Sequence, residues 1–529
     1  MNIRTFTIGV LLFFSLNAFA QVPGSPIDVQ HYTFNIDLND STNNIVCKAD
    51  VAVKFVKSAR SFSLDLVKKN SSGKGMLVSS ITEVGNAVPF SQDAEKLNIN
   101  ATGITGSDHV YTIAYQGIPA DGLIISKNKY GQRTFFGDNW PNRGHNWLVS
   151  VDDPADKASV DFVVTAPAHY DVVANGLKVS ETPLLQNKKQ THWRETAQLS
   201  TKIMVIGVAD FAINHTGDVN GIPIYSYVFP QDSVKGFKSY AYAKEILPFF
   251  INKIGPYAYK KLANVQSKTI FGGMENAGAI FYFEDSPADG GIESLMAHEI
   301  AHQWFGDAAS EKSFYNLWLS EGFATYLTHY YLESKYGIDT LKKRLAADRA
   351  KVIAFEKERL TPVVDTTVKD DYMPLLNANS YEKGGWVLHM LRRQLGDGVF
   401  WKGIRQYYAQ YNGSNANTDD FRKVMELASG KDLRVFFKQW LKTAGHPDLR
   451  IDWWFHKKTG AFSITINQKQ KLLYSFPLEI TVDGKPYTIA INERLTKKEF
   501  KIKGDEIDVK ADPYINLLAT FAEEGIITD

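Results

Sequence analysis

The sequence predicts a multidomain α+β protein in which a long antiparallel β region, a helical region and a small β-sandwich follow one another. Apolar residues alternate at Tyr32, Phe34, Ile36 and Leu38, and again at Phe62, Leu64 and Leu66, the pattern of strands with one buried face. From near Ser233 to about Gly445 the apolar spacing becomes helical, and from Leu449 alternation returns. At 529 residues the chain has the length of about three domains. The changes of period put their limits at 21–210, 211–446 and 447–529, behind a leader of residues 1–20.

The leader has the three parts of a secretory signal. Arg4 supplies positive charge, Ile8 to Leu16 an apolar run too short for a membrane span, and Ala18-Phe19-Ala20 a small-x-small cleavage site. Cleavage is expected after Ala20, giving a secreted or periplasmic chain. No later run of 18 apolar residues occurs, so no membrane association is expected once the signal is removed. Lys plus Arg number 59 and Asp plus Glu 58, and no basic run is interleaved with aromatics, which argues against nucleic acid as a partner. A single cysteine, Cys47, rules out an internal disulfide framework and reads as a small strand residue.

In the region 21–210, turn signals recur at Gly85-Asn86, Gln116-Gly117 and Asn175-Gly176, as antiparallel strands joined by short connections require. Within the helical region, ahead of the histidine-bearing stretch, comes an apolar, strand-like run, Asn264 to Glu284, broken at Gly272-Gly273. Paired glycines in a strand mark either a bulge or the close approach of another backbone.

The chemistry is concentrated in Ile292 to Ala324. His298 and His302 are four apart, so on a helix their imidazoles lie on one face and can share one metal ion. Glu299 follows the first histidine, as the general base does in the H-E-x-x-H zinc signature. After Gly306 a second helical segment runs from about Tyr315 to Tyr336 and carries Glu321, with 18 residues between His302 and Glu321. That length allows a helix, a loop and a return helix to bring the carboxylate over the histidine pair. Two histidines, one carboxylate and an open fourth position make a catalytic zinc site, and one cysteine excludes a closed cysteine-rich one.

Gly337 to Leu360 reads as a charged amphipathic helix with a solvated, structural role. In Asn379 to Gly396, Val387, Leu388, Leu391 and Leu395 form a buried stripe, with Tyr381 at its start, where packing is the default role. Two further helices follow, one from Thr418 to Gly430 and one ending at Gly445 before Pro447. In the last region Phe462, Ile464 and Ile466 alternate, as do Phe476, Leu478, Ile480 and Val482. The hairpin signal Asp483-Gly484 then leads to Tyr487, Ile489 and Ile491. This small sandwich carries no visible chemistry.

Three segments together, HEIAHQWFGD, WLSEGFA at the matching spacing and GGMEN at Gly272 to Asn276, resemble the M1 family of zinc aminopeptidases. The closest likeness is to secreted bacterial members without a large C-terminal helical domain. The resemblance implies a saddle-like N-terminal β domain and a thermolysin-like α/β catalytic domain. It also implies one Zn2+ per chain on His298, His302 and Glu321, with Glu299 as general base. Tyr381-Glu382-Lys383-Gly384 matches the family's YxKG element, which makes Tyr381 the stabiliser of the oxyanion.

The resemblance further implies that Gly272, Gly273, Met274, Glu275 and Asn276 bind substrate. A peptide would add as a strand along the glycines, its free amine held by Glu275, with Phe271 lining the first side-chain pocket. The expected substrates are peptides with a free N-terminus; the oligomeric state is not readable. An endopeptidase would not need Glu275, epoxide-hydrolysing relatives also carry GGMEN, and a scaffold that had lost its metal would not keep every ligand. Two departures stand out. Trp140 occupies the place where relatives carry an amine-binding Gln or Glu, which raises Asp138 as a substitute. Asp307 replaces the usual Asn after HQWFG and reads as a turn cap.

Overall fold

The computed structural model describes residues 22–504 and 506–529. The leader expected at 1–20 lies outside them. Within these residues the chain is a multidomain α+β protein, and no helix is long and apolar enough to cross a membrane.

The N-terminal region is β apart from loops and two short 3-10 turns, Gly144–Asn146 and Thr201–Ile203. Its main sheet runs in the order Leu177–Leu184, Lys188–Leu199, Ala158–Pro167, Ile27–Asp37, Ile45–Phe55, Asp108–Ile118, Gly75–Glu83, Asn86–Ala87. Along Ile45–Phe55 every second residue is fully buried, which is the physical content of the alternation in the sequence. One pair departs from the antiparallel expectation: Ile27–Asp37 runs parallel to Ala158–Pro167. The intervening 120 residues form other strands, and such an excursion is the long crossover that a parallel pair needs. The strand Leu177–Leu184 is exposed along its whole length and protects its edge with Lys178, Glu181 and Pro183.

The next sheet positions the site. Its order is Ala212–Val219, Ile222–Val228, Leu262–Gln266, Ala279–Tyr282, Gly273–Met274. The glycine-bearing strand is therefore an edge, paired on one side only, through Gly273 to Tyr282 and Met274 to Phe281. Behind it pack the helix Ile292–His302 and the return helix Trp318–Tyr336, whose first 12 residues are all buried. The helix Ile338–Glu358 follows and buries Leu341, Leu345, Asp348, Val352 and Glu356. Its solvated reading from sequence is incomplete, because Arg344, Asp348 and Lys351 face the central cavity.

The N-terminal region grips the loops on either side of the site. Lys157 donates to the carbonyls of Asp307 (2.9 Å) and Ala308 (3.0 Å), and Lys202 forms a fully buried ion pair with Glu311 at 2.6 Å. Asn175 donates to the Ala277 carbonyl at 2.9 Å, just past the glycine strand. At the far end, a four-stranded and a three-stranded sheet meet through rings such as Phe500 and Tyr487, 4.9 Å apart. They are tied to the helices by Arg349 to Asp512 (2.9 Å) and His389 to Asn516 (3.0 Å).

Candidate active site

His298 and His302 stand one turn apart on a helix, and Glu321 comes from the first turn of the return helix. The two Nε2 atoms are 3.1 Å apart, and Glu321 Oε2 lies 3.4 Å from His298 and 3.2 Å from His302. Four-coordinate zinc with bonds of about 2.0–2.1 Å has ligand atoms roughly 3.3–3.4 Å apart, so the three fit the corners of one tetrahedral face. His302 Nδ1 is engaged by the Phe305 carbonyl (3.2 Å) and Ser320 Oγ (3.0 Å), which leaves Nε2 for the metal. Glu321 Oε2 is buried and has no hydrogen-bond donor. The donor set therefore fits a zinc ion.

The ligand groups also act on one another electrostatically. Against the effect of burial, Glu321 and Glu275 push His302 up to about 10, and the two histidines hold Glu321 far below the usual carboxylate range. Burial pushes the Glu299 carboxyl well up, and Glu275 and Glu321 add to this while His302 opposes it. Burial also holds the Tyr381 phenol well above its ordinary range, so it stays a donor at neutral pH.

Tyr381 sits in a π-helical turn, Asn379–Lys383, that opens the helix Gly384–Leu395. Its ring stacks on His298 with centroids 6.0 Å apart. Two glycines permit this approach. A Cβ on Gly322, next to Glu321, would meet the Gly384 backbone at 2.8 Å, so the two helices cross with no side chain between them. Lys383 is fully buried and anchors the turn by donating to Glu356 (2.6 Å) and the Gly445 carbonyl (2.8 Å).

These groups line one cavity of about 580 Å3, with Phe271, Gly272, Gly273, Met274 and Glu275 on the edge-strand side. Glu275 is 5% exposed and its Oε1 has no partner, while its ligand atoms come within 4.8 Å of those of Glu299 and His302. A buried carboxylate oxygen without a donor, facing a cavity, suits an ammonium group. Phe271 packs edge-on against Trp140 at 6.0 Å. Asn276 is not on the cavity wall: it is fully buried, and both its side-chain polar atoms lack partners.

Asp138 also lies outside the cavity. Its carboxylate takes Arg143 at 2.8 Å, the Ile270 amide at 3.0 Å and the Thr269 hydroxyl at 3.2 Å, so it braces the segment before Phe271 rather than reaching an amine. Trp140 is the residue of that stretch on the wall; its indole N–H is unpartnered, but as a donor it cannot accept from an ammonium group. Asp307 is not a turn cap: its buried side chain accepts from Gln303 at 2.8 Å. Gln303, the Lys383–Glu356 pair and Arg344 were not singled out in the sequence. Each has a partner 15 to 28 residues away in the chain, Glu275 for Gln303, Glu356 for Lys383 and His329 for Arg344, a relation that local spacing does not encode.

The description "Peptidase M1 N-terminal domain" matches residues 28–203 and "Peptidase family M1 domain" matches residues 239–440. The chain belongs to peptidase family M1. It is 27% identical to probable aminopeptidase 2 of Sulfurisphaera tokodaii over 83% of this chain and 57% of that protein. It is 26% identical to leucyl aminopeptidase of Saccharolobus solfataricus over 81% of this chain and 56% of that protein. With aminopeptidase 2 of Candida albicans the identity is 29%, over 57% and 34%. The chain thus spans between about a third and three fifths of the length of these curated relatives.

Proposed function

We propose that this protein is a zinc-dependent aminopeptidase that removes residues singly from peptides with a free N-terminus. The observation that carries the reading is the unpartnered Glu275 oxygen beside the His298, His302 and Glu321 cluster, in one cavity with an edge strand. When bound, the zinc ion supplies Lewis acidity, polarising the scissile carbonyl and lowering the pKa of water. Every other step belongs to the side chains.

The substrate backbone pairs with Gly272 to Met274, and Glu275 holds its ammonium group, which fixes the first peptide bond over the cluster. Glu299 removes a proton from the attacking water as the carbon–oxygen bond forms. Tyr381 donates to the oxyanion, a contact typically worth about 3 kcal/mol in the transition state. Glu299 then delivers its proton to the leaving nitrogen as the carbon–nitrogen bond breaks. Phe271 and Trp140 give the first side-chain pocket an aromatic wall, and Gly272, Gly273, Met274 and Asn276 shape the segment that carries Glu275.

The leader read in residues 1–20 supports export and cleavage after Ala20, and the proposed domain limits are 21–210, 211–446 and 447–529. The test is hydrolysis of a fluorogenic Leu-amide and its N-acetylated twin, with and without a zinc chelator. Cleavage of the free amine alone, lost with chelator and restored by zinc, is the expected result. Cleavage of both substrates would remove the role given to Glu275.

A further inference from the structure

The cavity does not end at the metal ligands. Beyond them it is lined by Ser294 of the histidine helix, His329 of the return helix, and Arg344, Asp348 and Lys351 of the helix Ile338–Glu358. Lys351 is paired with Glu382 at 2.9 Å. Arg344 is half-buried, and among the described residues it feels the Asp348 carboxylate through space, with His329 bonded to both. Its Nε donates to His329 Nδ1 at 2.9 Å and its Nη2 to Ser294 Oγ at 3.1 Å, both neutral acceptors. His329 Nε2 donates in turn to the buried Asp348 at 2.5 Å. Burial holds the imidazole below its ordinary range, so it is neutral, as an acceptor from arginine must be. This relay orients the guanidinium, while its Nη1 makes no hydrogen bond to the protein among the described residues.

The position relative to Glu275 gives this cation a meaning. Gln303, just past His302, holds the Glu275 main chain, whereas Arg344 is bonded to Ser294, one turn before His298. Glu275 and Arg344 therefore flank the ligand cluster at opposite ends of one helix. The eight residue steps from Ser294 to His302 correspond to roughly 12 Å along its axis. Gly272 lies near Leu295 and Glu275 near His302, so the edge strand runs the same way as the helix. A peptide with its amine on Glu275 and its chain leading towards Arg344 runs antiparallel to that strand, a standard mode of strand addition. An extended residue covers about 3.3–3.6 Å, so one or two residues beyond the cut bond, with a hydrogen bond at each end, reach that far.

We propose that Arg344 is a carboxylate anchor on the leaving-group side of the cleft. On this reading, which rests on the aminopeptidase function proposed above, the enzyme favours substrates with a carboxylate one or two residues past the scissile bond. That carboxylate is either the C-terminus of a di- or tripeptide or an acidic side chain. Guanidinium is the group suited to planar, two-pronged carboxylate recognition.

The test compares kcat/KM for Leu-Gly-Gly, Leu-Gly-Gly-amide and Leu-Glu-Gly-amide on wild type, Arg344→Gln and Arg344→Lys. Wild type is expected to prefer a carboxylate-bearing substrate over Leu-Gly-Gly-amide by about tenfold, mostly in KM. Arg344→Gln should bring that ratio near one, and Arg344→Lys should keep part of it. Preference for Leu-Gly-Gly alone assigns the carboxylate to the C-terminus, and preference for Leu-Glu-Gly-amide alone assigns it to the side chain. No preference in wild type, or equal losses on all three substrates in both variants, overturns the anchor and leaves the aminopeptidase reading standing. Failure of wild type to cut any of the three, together with failure on Leu-amide, overturns both.

Discussion

The side-chain amide of Gln303 donates to the main-chain oxygen of Glu275 at 2.7 Å, linking the end of the histidine helix to the segment proposed to hold the substrate amine. The same side chain donates to Asp307 (2.8 Å) and accepts from the Gly278 amide (2.8 Å) and the Tyr257 hydroxyl (3.3 Å). All four bonds are buried. Replacement by leucine keeps much of the volume but strands those partners, at an expected cost of about 3 kcal/mol. Gln303→Leu should lower Tm and raise KM for Leu-amide more than it lowers kcat. An unchanged KM in a folded variant would show that Glu275 needs no such support.

A Cβ on Gly273 would fall 2.3 Å from Glu299 Oε1, so the edge strand and the proposed base occupy adjacent space. The obstructing atoms belong to a side chain that can rotate. Gly273→Ala should therefore fold and retain activity, with kcat reduced severalfold as Glu299 moves aside. Gly273→Val, with two further methyl groups, should abolish turnover while Tm stays near that of wild type. Full activity of the valine variant would mean that neither Glu299 nor the substrate strand approaches this position.

Removing the Tyr381 hydroxyl separates chemistry from binding. Tyr381→Phe keeps the ring stacked on His298 and deletes only the donor. Its kcat on Leu-amide should fall about a hundredfold or more, with KM changing far less. A loss carried mainly by KM would move Tyr381 from oxyanion stabilisation to substrate binding.

Lys157 gives a pH signature to the contact between the N-terminal region and the loop after the histidine helix. Burial depresses its amine from 10.5 to about 7. Between those values the unfolded chain binds more protons than the folded one, so this group's contribution to stability rises with pH. Wild type should gain on Lys157→Met in urea midpoint as pH increases from 7 towards 10. Parallel curves would show that the amine is charged in the folded protein and paired by other means.

Metal removal should be visible in stability as well as turnover. A ligand at a thousand times its dissociation constant stabilises the folded state by about 4 kcal/mol. Chelation should lower Tm by several degrees and added zinc should restore it. His302→Ala should leave Tm indifferent to both. A zinc-dependent shift that survives in this variant would place the ion elsewhere.

The leading chemistry was legible because it obeys short-range rules. Helical periodicity alone brings His298 and His302 together, and Glu321 follows on a return helix of sufficient length. The period-two strands were legible for the same reason, since one buried face leaves its mark on every second residue. Asp138 was harder to place: a carboxylate at the right position in the chain says nothing about whether an arginine and a main-chain amide have already engaged it.

By itself the sequence determined which residues were candidates to ligate a metal or move a proton and in what order the β, helical and β regions follow, because both depend on residue type and local spacing. The tertiary structure alone decided that the glycine strand is a sheet edge, that Gln303 ties it to the histidine helix, and that Arg344 extends the cavity. Those features are contacts between elements far apart in the chain, made by packing and by the pairing of buried polar groups, and such contacts leave no periodic trace in the order of residues.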